Sequence, residues 1–278
     1  MSIITFASNE KKETGQTLSL AAVASYMAIE HNCKILIVST NFDDLSLENC
    51  FWEYENLRQE SGLSRAGVGI ESGIEGLIKV INSNKTTKEI VKNYSKTILR
   101  GRLDLLPSPD TKSYNDYIEI ASNYPTILQM ADQYYDLIFV DLSKFIPNQI
   151  EQTILKMSDI VVLSIKQCLK TIKDFIKLRE EDNFYKKQNV MIAIGRYDRF
   201  SKYNNKNITR YMKEKKELSV IPYNTLFFEA CSDGTIIDFL LKIRNLTDET
   251  DRNTSFVKEL KEIDINIMMR LKELQMRI

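Results

Sequence analysis

The sequence has 278 residues but a single histidine, His31, and only four cysteines, Cys33, Cys50, Cys168 and Cys231. The cysteines form neither a CxxC pair nor another spacing typical of metal ligands. We therefore interpret them as reduced thiols of a cytosolic protein and not as a disulfide or metal set. One histidine leaves almost no basis for histidine-based metal binding or a catalytic triad, and we interpret His31 as a residue following a helix.

The chain also lacks a charge imbalance, a long apolar run and a linker. Its 38 Lys and Arg balance 38 Asp and Glu, so attraction to nucleic acid or anionic lipid requires a local patch. No apolar run approaches the length that crosses a bilayer, and the first residues, MSIITFAS, lack the basic region of a signal or transit peptide. We expect a cytoplasmic protein with one domain over residues 1–245 and a C-terminal amphipathic tail over residues 246–278.

Short apolar, β-branched runs alternate with longer helical patterns. Strands are predicted at residues 3–7, 34–39, 103–106, 137–141, 160–165, 190–194 and 218–221, and helices at 17–30, 114–133, 148–157, 169–181 and 208–215. This alternation is typical of a parallel sheet covered on both faces. The sequence predicts a three-layer, doubly wound α/β fold with a mostly parallel sheet and a C-terminal helix. Residues 59–72 are predicted to be the least ordered segment.

Ligands of such sheets bind beyond the carboxyl ends of the strands, where the strand order reverses. The loops that are candidates for a binding site therefore follow Ala7, Ser39, Leu106, Asp141 and Ile194.

The first of these loops, SNEKKETGQTL over residues 8–18, lies where a phosphate-binding loop would precede a helix. It resembles the deviant Walker A loop of the MinD/ParA-family (SIMIBI-class) P-loop ATPases. That loop contains a lysine, two glycines, two variable positions, a second lysine, and Ser or Thr. Lys11 matches the first lysine and Thr17 matches the hydroxyl that holds magnesium. Lys12 and Glu13 replace the two glycines, and Gln16 replaces the phosphate-binding lysine.

Further segments resemble the same family, in the same order, over roughly residues 1–245. YDLIFVD resembles the Walker-B-like strand with Asp141 at its acidic end, and KILIVSTNFD has Ser39 and Asn41 at acidic positions of the family. VMIAIGRYD has Gly195 where the family usually has an adenine-reading asparagine. The segments LDLLPSP, SDIVVLSI and VIPYNTLFFEACSDG also match.

The resemblance implies ATP and Mg²⁺ as cofactors and assigns a site. It implies nucleotide contacts from Lys11, Gly15, Gln16, Thr17 and Arg196, with Thr17 and Asp141 at the metal and Asp141 as the catalytic residue. Loss of the lysine at position 16 weakens phosphate binding and hydrolysis, because a glutamine carries no charge. Each role has a structural alternative: Asp141 as a strand-end cap, Thr17 as a helix N-cap, and Lys11 as a solvated loop lysine.

The segment from Arg196 to Lys216 has eight Lys and Arg against two acidic residues, with aromatic residues between them. Family members similar to ParA bind DNA non-specifically through basic surface residues. The candidates for such contacts here are Arg199, Lys202, Lys206 and Arg210. The alternative is a solvated loop and helix.

The tail, residues 252–278, has a helical pattern with one apolar seam, interrupted by Asp264. The seam comprises Val257, Leu260, Ile267, Leu271, Leu274 and Ile278. Such a helix packs on its own domain or on a dimer partner. The alternatives are an amphipathic membrane anchor similar to that of MinD, or docking on a partner protein.

The favoured function is that of a ParA/MinD-like ATP-binding homodimer that positions or partitions a cargo such as a plasmid, a chromosomal locus or pilus or envelope machinery. Within the family, the sequence most resembles the TadZ-like branch. The alternative is a pseudo-ATPase scaffold that binds no nucleotide and acts through constitutive dimerisation and a protein partner. A metabolic or metallocentre enzyme of the same superfamily is ranked last.

Overall fold

The computed structural model describes residues 2–10, 14–53, 73–83, 87–187, 189–215 and 217–276. Its strands are β1 (Ser2–Ser8), β2 (Ile35–Ser39), β3 (Lys96–Leu99), β4 (Leu103–Leu106), β5 (Leu137–Asp141), β6 (Ile160–Ile165), β7 (Val190–Tyr197) and β8 (Ser219–Pro222). Its helices are α1 (Gln16–Glu30), α2 (Gly73–Asn82), α3 (Ile90–Tyr94), α4 (Tyr114–Ala121), α5 (Tyr124–Ala131), α6 (Asn148–Met157), α7 (Leu169–Glu181), α8 (Asn205–Tyr211), α9 (Thr225–Ser232), α10 (Ile236–Ile243) and α11 (Arg252–Gln275). Short 3-10 turns occur at Glu48–Cys50 and Asn183–Lys186.

The eight strands form one sheet in the order β3-β4-β2-β5-β1-β6-β7-β8. Every neighbouring pair is parallel except β3 and β4, which are antiparallel. Strand β1 lies between β5 and β6, so the strand order reverses on either side of it. The predicted three-layer, doubly wound α/β fold with a C-terminal helix is confirmed.

Alternate residues of the central strands face opposite layers of helices. Ile4 and Phe6 of β1 belong to one buried cluster, with α1, α9, α10 and α11. Ile3 and Ala7 belong to the other, with helices α2 to α8. The two clusters account for the near-continuous apolar character of the central strands, because these strands are buried on both faces.

Helix α1 is enclosed on all sides, with every residue from Ser19 to Ala28 buried. It lies against the sheet on one side and against α10 and α11 on the other. Small residues such as Ala21, Ala22 and Ala24 permit this close packing. The N-terminus of α1 is therefore held rigidly at the edge of the sheet where the candidate loops converge.

The tail helix α11 packs on its own domain. Phe256, Leu260 and Ile267 are fully buried in the same cluster as α1. Asp264, which interrupts the apolar seam, is hydrogen-bonded to His31 at 2.7 and 2.9 Å. The domain boundary at residue 245 stays a prediction, and Ile278 lies outside the described residues.

The secondary structure differs from the sequence prediction in several places. The helix predicted over residues 114–133 is two helices, α4 and α5, because Pro125 lies in the first turn of α5, where a missing N–H is tolerated. The helix predicted over residues 208–215 spans Asn205–Tyr211. The edge strand β3 and the helices α2, α3, α9 and α10 were not predicted. The segment 59–72 lies outside the described residues.

Candidate functional site

The loop that follows β1 enters α1 through Gly15, which has a φ of 73°. This left-handed conformation favours glycine. A Cβ on Gly15 would also lie 3.1 Å from the Cγ of Arg196, near the end of β7. The structure thus brings together Gly15 and Arg196, two of the predicted nucleotide contacts. Lys11, Lys12 and Glu13 lie outside the described residues.

Asp141, at the end of β5, is fully buried and accepts hydrogen bonds from three side chains. Its Oδ1 accepts from the Gln16 amide at 2.7 Å. Its Oδ2 accepts from the Thr17 hydroxyl at 2.8 Å and from the Asn41 amide at 2.8 Å. These four residues, the Asp141 cluster, join the ends of β2 and β5 to the first turn of α1.

Burial raises the pKa of the Asp141 carboxyl, and the hydrogen bonds from Gln16, Asn41 and Thr17 oppose that rise. All three donors are neutral. An ionised carboxylate in this position is therefore stabilised by dipoles and not by a paired charge. Asp141 lacks a paired charge here because residue 16 is a glutamine, whereas the MinD/ParA family, which the sequence resembles, has a lysine at that position.

A second layer of hydrogen bonds fixes the backbone behind the cluster. The Thr40 hydroxyl donates to the Asp141 carbonyl at 2.9 Å and accepts from the backbone N–H of Ser143 at 2.8 Å. Tyr117 donates to the Thr40 carbonyl at 2.6 Å, and Tyr124 donates to the Ser39 carbonyl at 3.0 Å. We did not predict these residues; the only signal in the sequence was that a buried tyrosine hydroxyl requires a partner.

A cleft of about 410 Å³ opens above the Asp141 cluster at the carboxyl ends of the strands. Its walls come from the segments after β1, β2, β5, β7 and β8, so the loops after Ala7, Ser39, Asp141 and Ile194 converge as predicted. The loop after Leu106 does not line it. Aromatic side chains form the rim, with Phe145, Tyr223 and Phe228 each about half exposed.

Two of the four charged side chains that line the described cleft, Glu10 and Lys144, are engaged in ion pairs. Glu10 contacts Lys166 at 2.7 Å and accepts from the Thr171 hydroxyl, and these contacts lower its pKa. Lys144 pairs with Glu151 at 2.8 Å. The guanidinium of Arg196 lies 6.0 Å from the ring centre of Tyr223. Arg196 is therefore the described cation best placed to contact a ligand at the rim.

The four candidates for DNA contact lie together on the loop after β7 and on α8. Arg199, Lys202, Lys206 and Arg210 are all exposed. The guanidinium of Arg199 lies 4.8 Å from the ring centre of Phe200, a side chain that is 83% exposed. Their role in binding DNA stays a prediction.

Among the residues that the structure describes, no three His, Cys, Asp or Glu side chains form a group able to hold a metal ion. The four cysteines are free thiols. Within the same described ranges, none of the helices combines the length and the apolar character that spanning a bilayer requires.

A mostly parallel sheet with a glycine-entered helix at its switch point, facing a cleft, is the arrangement of doubly wound α/β folds that bind ligands at this edge. The fold is that of the MinD/ParA-family P-loop ATPases. A ParA family ATPase from Chlorobium tepidum TLS superposes with a TM-score of 0.69 and 17% identity, covering 95% of this chain and 98% of that one.

Two further solved structures are similar over nearly their whole length. An ATP complex of a Cyanothece McdA variant has a TM-score of 0.65 and 14% identity, with 96% of each chain covered. The septum site-determining protein MinD with Mg-ADP from Pyrococcus horikoshii OT3 has a TM-score of 0.63 and 15% identity, with 97% of this chain and 98% of that one covered. No protein-family model and no curated protein matches the sequence.

Proposed function

We propose that this protein is a ParA/MinD-like, ATP-binding protein that positions or partitions a cargo in the bacterial cytoplasm, with weak or absent ATP hydrolysis. The observation that carries the proposal is the cleft above Gly15 and the first turn of α1, at the point where the strand order reverses. Solved proteins of this fold include McdA in complex with ATP and MinD in complex with Mg-ADP. We propose that the nucleotide binds in this cleft.

Weak hydrolysis follows from the neutral side chains around Asp141. Gln16 carries no charge to stabilise a developing phosphoryl transition state, and Ser39 and Asn41 supply no carboxylate beside the cluster. Removing one stabilising group of this kind typically lowers a rate by about 10²–10³. Turnover, if the protein has any, is expected to be slow.

Homodimerisation through the cleft face is supported by its exposed aromatic rim. Tyr223 is 52% exposed and Phe228 is 49% exposed, beside a ligand cleft. We propose that a bound nucleotide strengthens contact between two such faces and that the dimer recruits the cargo. One class of cargo is a plasmid or chromosomal locus, and the basic loop after β7 would then contact its DNA. The other class is pilus or envelope machinery, as for the TadZ-like proteins.

The Asp141 cluster also supports a second candidate, a pseudo-ATPase scaffold. The buried carboxylate accepts hydrogen bonds from Gln16, Thr17 and Asn41, so the chain's own side chains tie the end of β5 to the end of β2 and the start of α1. In this candidate the dimer is constitutive, and the protein acts through a partner alone.

Light scattering with and without Mg-ATP distinguishes the two candidates. A nucleotide-responsive protein gains mass on addition of Mg-ATP, and Lys11→Ala abolishes the gain if Lys11 contacts nucleotide. Lys242→Ala, at an exposed position of α10, is the matched control. An unchanged mass at millimolar ATP, together with no heat of binding, would favour the scaffold and contradict the first proposal.

A further inference from the structure

An aromatic patch lies at the carboxyl edge of the sheet, on one side of the cleft. Phe42, after β2, packs against the rings of Tyr114 and Phe145, with ring centres 5.6 and 6.1 Å away. The Tyr114 hydroxyl donates to the Phe145 carbonyl at 3.1 Å. Tyr114 is 46% exposed, Phe145 is 41% exposed, and Ile118, one turn along α4 from Tyr114, is 38% exposed. These four residues form a surface, the aromatic patch, to which the segments after β2, β4 and β5 contribute.

Exposed acidic side chains lie next to the aromatic patch in the chain: Asp43, Asp44, Asp116 and Glu119. The first two directly follow a ring of the patch, and the other two lie on α4. The cations of the same segments offset this charge only in part, because Lys144 is paired with Glu151 at 2.8 Å and Lys112 is a single exposed lysine. This side of the cleft therefore presents apolar rings and negative charge.

The basic loop after β7 lies at the same edge, on the other side of the cleft. Strand β1 stands between β7 and the strands β2, β4 and β5 in the sheet order. Arg199 and Lys202 of this loop are exposed, and the Phe200 ring between them in the chain is 83% exposed. Arginine and aromatic side chains are enriched where proteins meet. This side of the cleft therefore presents an apolar ring and positive charge.

The two sides of this face are complementary. In a two-fold symmetric dimer a surface meets the same surface of a second copy, so opposed cleft faces bring either like or unlike sides together, depending on the direction of the axis. Like sides would place acid on acid and base on base, which is unfavourable, whereas unlike sides pair opposite charges twice. We propose that two copies of this chain associate through their cleft faces, with Phe200 of each copy on the aromatic patch of the other and Arg199 and Lys202 on its acidic side chains. This inference rests on the proposed homodimer and names the surfaces that meet.

Duplex DNA and an anionic membrane are the other partners that a basic loop with an exposed phenylalanine fits. Both carry negative charge and would repel the acidic side chains next to the aromatic patch. Neither of them accounts for that patch on the same face of the molecule. A second copy of the chain accounts for both surfaces at once, because each is the partner of the other.

Reversing the charge on each side separately, and then mixing the two variants, tests the pairing. Arg199→Glu with Lys202→Glu makes the loop acidic, and Asp43→Lys with Glu119→Lys makes the other side basic. Each variant alone has like charges at both symmetric contacts, so we expect the dissociation constant of its dimer to rise at least about tenfold. A 1:1 mixture has one unaltered contact and one with exchanged charges, so we expect a heterodimer within about threefold of wild-type affinity. Sedimentation velocity of the full chain in Mg-ATP measures these constants.

Two further variants separate charge, packing and folding. Lys258→Glu with Lys261→Glu makes the same change of charge on α11 and should dimerise as the wild type does. Phe200→Ser removes the apolar ring without a change of charge, and we expect the dissociation constant of the dimer to rise about tenfold. Because this ring is so exposed in the single chain, Phe200→Ser keeps the test decisive if a charge-reversed variant fails to fold.

The outcomes distinguish this inference from the proposed function. Charge-reversed variants that dimerise as the wild type does would overturn the inference and leave the proposed function intact. If the loop variant then bound duplex DNA or phosphatidylglycerol vesicles less tightly, the loop would contact that partner instead. Monomeric variants that stay monomeric in the mixture would also overturn the pairing. A wild-type chain that stays monomeric with ATP, with ADP and without nucleotide would overturn both the inference and the proposed homodimer.

Discussion

The carbonyl oxygen of Thr14 lies directly against Gly195, so closely that a Cβ on Gly195 would stand 2.1 Å from it. The loop that enters α1 therefore rests on the backbone of β7. The resemblance to the MinD/ParA family suggested that Gly195 replaces an adenine-reading asparagine. The structure adds the physical reason: any side chain at this position would displace the loop.

Gly195→Ala should therefore destabilise the fold through a backbone clash. Gly101→Ala is the matched control, because Gly101 has a φ of 72° but no atom within 4 Å of the place a Cβ would take, so only conformational strain is added. We expect a loss of about 1 kcal/mol for Gly101→Ala and about 3 kcal/mol for Gly195→Ala, measured by urea unfolding. Equal losses would mean that the loop moves aside freely.

A hydrogen bond between helices explains the charged residue in the seam of α11. Asp264 is 6% exposed, and its carboxylate is bonded to His31, 233 residues away in the chain. His31→Leu would leave the carboxylate buried without this partner, at a cost of about 1–3 kcal/mol. Replacing both residues by leucine should cost less than the single change, because no polar group is then stranded. Urea unfolding of the two variants measures both losses.

A double variant that loses more stability than His31→Leu alone would contradict this account. Asp264 would then contribute through packing or through contacts other than the pair.

Features of the fold that arise from residues close together in the chain were predictable from the sequence, and features that depend on distant partners were not. The periodicity of strands such as LIFVD is local, so the sheet and most helices were predictable. Strand β3 was missed because its residues, KTIL, are only partly buried and pair at an edge through a tight turn. Asp264 is accommodated in an apolar seam because it is hydrogen-bonded to His31. A partner so distant in the chain leaves no local sequence pattern.

For the site, the sequence located Gln16, Thr17 and Asp141 but not their relationship. The resemblance to the MinD/ParA family implied that a lysine and two acidic residues are replaced, which suggested a weakened site. Only the geometry shows that Gln16 and Asn41 both donate to Asp141, so that these substitutions leave the buried carboxylate with neutral donors. Hydrogen-bond direction depends on side-chain placement, which spacing alone does not specify.

The burial of the Glu48 carboxyl leads us to predict that the stability of the fold depends on pH. Glu48 is 1% exposed; Oε1 accepts from the backbone and hydroxyl of Ser108, while Oε2 has no hydrogen-bond partner among the residues that the structure describes. Burial raises its pKa above the ordinary value, despite the opposing bonds from Ser108. The folded protein then binds a proton more tightly than the unfolded chain does. The stabilisation is fully present below the unfolded pKa, about 4.3, and is lost as the pH rises through the folded pKa.

Glu48→Gln should flatten the decline in stability with rising pH, because the position no longer titrates. Urea unfolding across a pH series measures this slope. Some decline should remain, since burial raises the pKa of Asp141 in the same direction. Glu229→Gln, at an exposed position of α9, is the control and should leave the slope unchanged. An unaltered slope in Glu48→Gln would exclude Glu48 as the titrating group.

The basic loop after β7 supports a final prediction, on binding of DNA. Exposed Lys202 and Lys206 lie in the segment that also contains Arg199 and Arg210. If these side chains neutralise phosphates, Lys202→Glu with Lys206→Glu should weaken binding to duplex DNA of any sequence. The dependence of log affinity on log salt should become less steep by about 2, because each lost phosphate contact reduces the slope by about 0.9.

Fluorescence anisotropy of labelled duplex DNA over a salt series gives both the affinity and the slope. Lys258→Glu with Lys261→Glu makes the same change of charge at exposed positions of α11 and serves as the control. Because both double variants change the formal net charge of the chain, which is zero, by the same amount, an effect of bulk charge would appear equally in both. Equal losses would therefore argue against a DNA-binding patch, and a loss confined to Lys202 and Lys206 would locate it on this loop.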